Sequence, residues 1–261
     1  MYKVINFNCF LLLGISMLIA LTNASNYLAD KPNFLTPCVL EDPQFGKCLS
    51  SNLQNMFVEW RDGVPGTNTV GSLDPLLVKR IKFSQDTNSA IALNVDMQNV
   101  YIKGARLLTV KEASYNPSKH VAAGMVFLPK LRFDFDYKVK GQVLALPLNG
   151  HGNGLFEIEN LVIRMEMAVK PRSSDVGNFA DVQRVKISIP SIGNFRIKLN
   201  NLFPNSPELN DAAHTIFNEN WRELYEVLQP TIQQTLEAII LDRTKKIFNY
   251  VPATYFIQDF H

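Results

Sequence analysis

The chain has 261 residues, 46% of them hydrophobic and only 19% charged, with a formal net charge of +2. That is too apolar and too weakly charged for a disordered chain, and too near charge balance for nucleic-acid binding to be the default expectation. The aromatic residues are 17 Phe against 2 Trp, so a sizeable core can form without a disulfide scaffold.

Lys3 supplies a short basic start. Residues 10–21 are uncharged, and Thr22-Asn23-Ala24 follows with small residues. This is the layout of a secretory signal peptide over residues 1–24; the run falls short of the roughly 20 apolar residues that span a bilayer. An uncleaved signal anchor is the alternative. Residues 25–261 show no repeat, low-complexity tract or linker, so a single domain is expected. No later segment is apolar enough for stable membrane insertion. N-glycosylation is not expected: Pro117 follows Asn116, and Asn23 lies at the signal boundary.

Cys9 leaves with the signal. Cys38 and Cys48 remain in a chain bound for an oxidising compartment, where one disulfide is the expected state. A loop of that size is worth roughly 2–3 kcal/mol in the chain-entropy model. Free thiols or half of a metal site are the alternatives. The other candidate ligands, His120, His151, His214 and His261, lack metal-site spacing, and neither a metal nor a cofactor is expected.

Phe45, Leu49, Leu53, Met56 and Phe57 recur at helical spacing and predict a short N-terminal helix, ended by Arg61-Asp62-Gly63. From about residue 76 to 199 the pattern becomes extended. The clearest strand is 131–140, in which Leu131, Phe133, Phe135, Tyr137 and Val139 alternate with five charged residues. Residues 163–170 alternate likewise, and weaker alternation appears at 91–102, 185–189 and 195–199. Turn signals fall at Asp86-Thr87-Asn88, Asn116-Pro117-Ser118, 149–154 and Ser173-Ser174-Asp175. The expectation is an antiparallel sheet of about six to eight strands with one apolar face. After Pro204, apolar residues from Leu209 to Phe248 keep the 3.6 period. They predict one helix of about forty residues, near 60 Å long, capped by Ser206-Pro207 and kinked at Pro230. The fold class is therefore α+β: a long C-terminal helix whose apolar stripe is wrapped by the apolar face of a curved sheet.

Enzyme motifs are absent: there is no G-x-S-x-G, P-loop or H-E-x-x-H. Gly150-His151-Gly152-Asn153-Gly154 lies between extended stretches and reads as a hairpin loop, with His151 a solvated side chain rather than a base. Asp134 and Asp136 share a strand face with Arg132 and Lys138, which reads as a charge-balanced outer surface rather than a catalytic carboxylate pair. No catalytic residue is assigned. Apolar area is what the sequence offers. Strand alternation and the helix stripe give Leu131, Phe133, Phe135, Tyr137, Val139, Phe156, Ile163, Met165, Met167, Phe217, Trp221 and Tyr225 as the candidate lining of an interior cavity. Tyr137 or Tyr225 would orient a ligand's polar end.

The order and spacing of Cys38 and Cys48, Ser72-Leu73-Asp74-Pro75-Leu76, the 131–141 strand and 150–155 resemble the insect Takeout and juvenile-hormone-binding family. So do Asn201-Leu202-Phe203, Leu209-Asn210, the helix with Asn218, Trp221 and Pro230, and Tyr255-Phe256. The resemblance is to the Takeout branch rather than to moth hormone carriers, which have a second disulfide; here only one is possible. It implies a tubular lipid-binding fold, with the disulfide tethering the N-terminal arm near one tunnel mouth. It also implies a secreted, non-enzymatic, extracellular protein of haemolymph or sensory lymph, linked to feeding, chemosensory or circadian physiology. Its tunnel would carry a small hydrophobic molecule such as a juvenile-hormone-like terpenoid or fatty acid. The alternative is a secreted signalling or protein-interaction module with a filled interior.

Overall fold

The computed structural model describes residues 26–85, 91–143, 146–204 and 206–261. The signal-peptide segment and the Asp86-Thr87-Asn88 turn lie outside the described residues. Helix α1 (Phe45–Glu59) forms where the apolar spacing predicts it, and buries Leu49 and Met56. Strands β1 (Leu76–Gln85), β2 (Ile91–Lys103), β3 (Thr109–Asn116), β4 (Val121–Val143), β5 (Leu146–Ser174), β6 (Gly177–Ser191) and β7 (Asn194–Leu199) form one curved antiparallel sheet. Helices α2 (Pro207–Glu219) and α3 (Trp221–Tyr250) follow.

The spine of the sheet is the β4–β5 pair, and each strand changes its second neighbour part way along. The C-terminal half of β4 pairs with β2 and its N-terminal half with β3. The N-terminal half of β5 pairs with β7 and its C-terminal half with β6. Alternation slips at the changeover. Leu128 and Leu131, three residues apart, are both buried, and Asn160 on β5 takes a positive φ of 51°. Such an irregularity bends the strands and re-aims their faces, so the apolar face continues along the whole spine.

The outer edges of the path are β1 and β6, and α3 bridges them. Arg243 donates to the carbonyl of Leu77 at 2.7 Å and to that of Val70. Thr231 donates to Gln85 at 3.0 Å, and the Glu237 carboxylate accepts from the Ile187 N–H at 3.0 Å. One end of the interior is closed by the arm around Cys38 and the C-terminal residues 253–260. Cys38 is bonded to Cys48, and its backbone exchanges hydrogen bonds with Phe256 and Gln258. Phe256, Ile257 and Phe260 are buried beneath it. Asn52, only 2% exposed, holds this arm to α1 through Thr36 N–H and C=O at 3.0 and 2.6 Å.

Three sequence expectations are corrected. The C-terminal helix is two helices, interrupted at Asn220, whose φ and ψ of −109° and 26° leave the helical basin. Pro230 lies within α3, ten residues beyond that break. The phase of α2 is consequently its own: Ala213 and Phe217 are buried while Leu209 and Ile216 are 50% and 41% exposed. Pro207 opens α2, but the Ser206 side chain makes no cap bond; instead Asn210 Nδ2 donates to the Ser206 carbonyl at 3.0 Å.

The third correction is that Gly150-His151-Gly152-Asn153-Gly154 is not a hairpin loop. It lies inside β5, with Gly150, Gly152 and Gly154 opposite Val139, Tyr137 and Phe135. Glycines two apart share one strand face, here the inner one. A Cβ on Gly150 would stand 2.6 Å from the Leu202 carbonyl oxygen, and one on Gly152 would overlap that of Asn200. The segment 200–202 runs across this bare strip, a path that side chains would block.

Candidate functional site

The inner face of the sheet and the inward stripe of α3 meet along the long axis. Along 131–140 the alternation holds: Leu131, Phe135, Tyr137 and Val139 are buried, while Asp136, Lys138 and Lys140 are exposed. Register carries this face sideways, setting Phe133 opposite Phe156 and Phe156 opposite Ile197. The rings form a continuous chain. Tyr137 to Phe135 is 6.4 Å between centroids, Phe135 to Phe156 4.5 Å, Phe156 to Phe195 5.6 Å, and Phe195 to Trp221 6.4 Å. These offset and tilted pairings are favourable aromatic geometries.

The apolar interior divides into two clusters. One, around the β7 end, contains Leu131, Phe135, Tyr137, Val139 and Phe217, with Phe133 and Phe156 half-buried against it. The other, around α1 and the disulfide, contains Met167, with Met165 half-buried against it. Ile163, Ile189, Phe57 and Val110 touch both clusters. The structure thus brings the strand aromatics together with Trp221, and sets the two methionines beyond the strand changeover. Sequence reasoning missed Phe195, which joins Phe156 to Trp221. Its signal was the weak alternation at 195–199.

Neither apolar face is fully covered. Phe133, Phe156, Ile158, Ile163 and Met165 on the sheet, and Leu224, Leu228, Ile232, Leu236 and Ile239 on α3, all keep partial exposure. The opposite face of α3 carries the exposed Glu223, Val227, Pro230, Gln234 and Ala238, so these half-buried residues lie on the side turned toward the sheet.

Two tyrosines were candidates for a polar anchor, and their hydroxyls differ. Tyr137 donates to the Asn200 carbonyl at 3.0 Å, so it is committed to holding the segment over the glycine strip. Burial pushes its phenol up to about 12. The Tyr225 hydroxyl is also buried, and burial raises its pKa, yet it has no hydrogen-bond partner among the described residues.

Helix α2 seals the β7 side. Asn218 and His214, one turn apart, replace the missing neighbour strand. Asn218 accepts from the Ile197 N–H at 2.8 Å and donates to its carbonyl at 3.1 Å; His214 Nε2 accepts from the Leu199 N–H at 2.9 Å. An exposed strand edge would otherwise invite pairing with another chain.

On the outer face, Asp134 is bound by Arg132 at 2.6 Å and Lys103 at 2.9 Å, and Glu157 by Lys130 at 3.0 Å. The Arg132 guanidinium, above all, holds the Asp134 carboxyl below its ordinary value. Asp136 accepts from Asn99 at 2.9 Å. These carboxylates are partners in a surface charge network. A cleft of about 720 Å³ opens on this same face among Lys82, Asp96, Lys138, Lys140 and His151. Among the described residues no group of three or more His, Cys, Asp or Glu is placed to share a metal ion, and no helix is long and apolar enough to cross a membrane.

A two-part helix closing a curved, open antiparallel sheet, with an apolar face on each, defines a Takeout-type α+β fold. The crystal structure of Epiphyas postvittana Takeout 1 superposes with a TM-score of 0.72 at 20% identity, covering 85% of this chain and 98% of that one. The family model for haemolymph juvenile hormone binding proteins matches residues 16–258, and the chain belongs to that family. Circadian clock-controlled protein daywake of Drosophila melanogaster is 22% identical over 239 residues, covering 87% of this chain and 88% of the relative. The protein of that name from Drosophila yakuba is 20% identical over 234 residues, with the same coverage.

Proposed function

We propose that this protein is a secreted carrier of an elongated, mostly apolar small molecule, a juvenile-hormone-like terpenoid, fatty acid or similar lipid. The ligand lies between the sheet's inner face and α3. One observation carries this reading: where the sheet's apolar face meets α3, residues on both sides, among them Phe133, Phe156, Ile163, Leu228 and Leu236, are only half-buried. Protein interiors pack to near-crystalline density, so apolar residues that touch the core yet keep accessible surface fit a guest better than a finished core. At roughly 25 cal/mol per Å² of apolar surface, burying such a guest is the driving term set against the association costs. The lining is the twelve residues named from the sequence, with Phe195 added.

Residues 1–24 act as the signal peptide and 25–261 as a single carrier domain, in an extracellular fluid such as haemolymph or sensory lymph. The Cys38–Cys48 bond fits an oxidising compartment. The role is binding rather than catalysis, since the paired carboxylates and His151 sit on the outer charged face. The relatives named as circadian clock-controlled proteins favour a rhythmic or behavioural setting.

The outer clefts with their charged rims favour a second reading, a secreted protein-interaction module with an inert interior. Titration with a fluorescent fatty-acid probe separates the two. A carrier shows saturable uptake of about one probe per chain, displaced by terpenoid esters and weakened by Phe156→Ala. An inert interior shows no saturable uptake.

A further inference from the structure

Two buried side-chain polar atoms lack a hydrogen-bond partner among the described residues, Trp60 Nε1 and Tyr225 Oη. Their settings differ. Trp60 is 1% exposed, within the cluster around α1, against the edge of Phe34. Tyr225 stands on the inward stripe of α3, one turn after Trp221 and one before Leu228 and Gln229, among residues that keep accessible apolar surface. A helical side chain leans toward the helix N-terminus, so the Tyr225 phenol leans back toward the turn that carries Trp221. A buried hydroxyl without a partner is costly, and native structures rarely leave one so.

We propose that Tyr225 is the polar anchor of the ligand site and donates a hydrogen bond to an acceptor oxygen (ester, ketone or carboxylate) at one end of an otherwise apolar ligand. The proposal rests on the carrier reading and deepens it. Tyr137, the other tyrosine on the candidate lining, is held by Asn200, whereas the Tyr225 hydroxyl has no partner among the described residues. The ligand's polar end sits at Tyr225, near the start of α3. Its apolar tail runs along Leu228, Ile232 and Leu236 toward Met165. From Tyr225 to Leu236 the helix rises about 16 Å at 1.5 Å per residue, which sets the scale of the tail.

The experiment compares the full secreted chain with Tyr225→Phe. Both are loaded with diphenylhexatriene, a hydrocarbon fluorophore without heteroatoms, and displaced with methyl laurate or with the alkane of equal length. Wild type is expected to prefer the ester by about fivefold to tenfold. Tyr225→Phe is expected to abolish that preference, read within each protein as the ratio of ester to alkane displacement. Its thermal midpoint stays equal or rises, because the lost hydroxyl had no protein partner. An ester preference that survives in Tyr225→Phe, or is absent from wild type, overturns the anchor and leaves the carrier reading standing; a hydroxyl satisfied only by buried water gives this result. Failure of both proteins to take up the fluorophore overturns the carrier reading and the anchor with it.

Discussion

Gly150→Ala adds one methyl group to the inner face of β5. Absent any clash, replacing a strand glycine by alanine stabilises by roughly 0.5–1 kcal/mol, because glycine loses the most freedom on folding. Here the new carbon would lie 2.6 Å from the Leu202 carbonyl oxygen and 2.7 Å from its Cα. Both are backbone atoms, so no side chain can swing aside. Ordinary contact begins near 3.4 Å, and the Leu202 backbone must retreat by about 0.8 Å. Leu202 is fully buried, and its neighbours are tied down: the Asn200 carbonyl accepts from Tyr137, and Asn201 donates to the His151 carbonyl, each at 3.0 Å. Overpacking costs about 1–3 kcal/mol and each weakened hydrogen bond about 1, for an expected net loss of about 2–4 kcal/mol. Urea unfolding followed by Trp fluorescence measures it, with His151→Ala on the exposed opposite face as a control expected within about 0.5 kcal/mol. A Gly150→Ala protein as stable as wild type, or more so, would refute the placement of 200–202 across the glycine strip.

Other outcomes follow from the same geometry. Replacing Cys38 and Cys48 together by Ser lowers stability by about 2–3 kcal/mol; because Cys38 hydrogen-bonds Phe256 and Gln258, limited proteolysis then cuts near residues 253–261, which wild type protects. Asn218→Ala leaves the Ile197 N–H and C=O unpaired at the β7 edge, costing about 1–3 kcal/mol, and hydrogen exchange at Ile197 accelerates. Asp134 has its pKa lowered in the fold, so its stabilising contribution is present above the ordinary carboxylate value and is lost as pH falls through the lower folded value. Asp134→Asn therefore makes the acid limb of urea midpoint against pH shallower than that of wild type.

The sequence made the periodic parts of this fold legible. Strict alternation over 131–140 has a single physical meaning, and the paired residues lie where parity puts them. The misreadings fall where periodicity carries no information. A glycine triplet at spacing two satisfies a loop or a flat strand face equally. What decides is the segment 200–202 lying across it, which is distant in sequence. The break at Asn220 has no proline or glycine to announce it, whereas Pro230 advertises a break and sits inside α3. The site was legible as a face rather than as contacts. Parity selected Phe133, Phe135 and Tyr137, but no local rule shows that Tyr137 bonds Asn200 while Tyr225 stays unpartnered. Phe195 was passed over because β7 is only six residues long, too short for a strong alternation signal.

Native mass spectrometry of the full chain secreted from insect cells tests the central claim most directly. The account predicts a population heavier than the processed polypeptide by the mass of one small lipid, released intact on collisional activation and recovered in an organic extract. A spectrum showing only the bare polypeptide, unchanged after incubation with terpenoid esters and fatty acids, would contradict it.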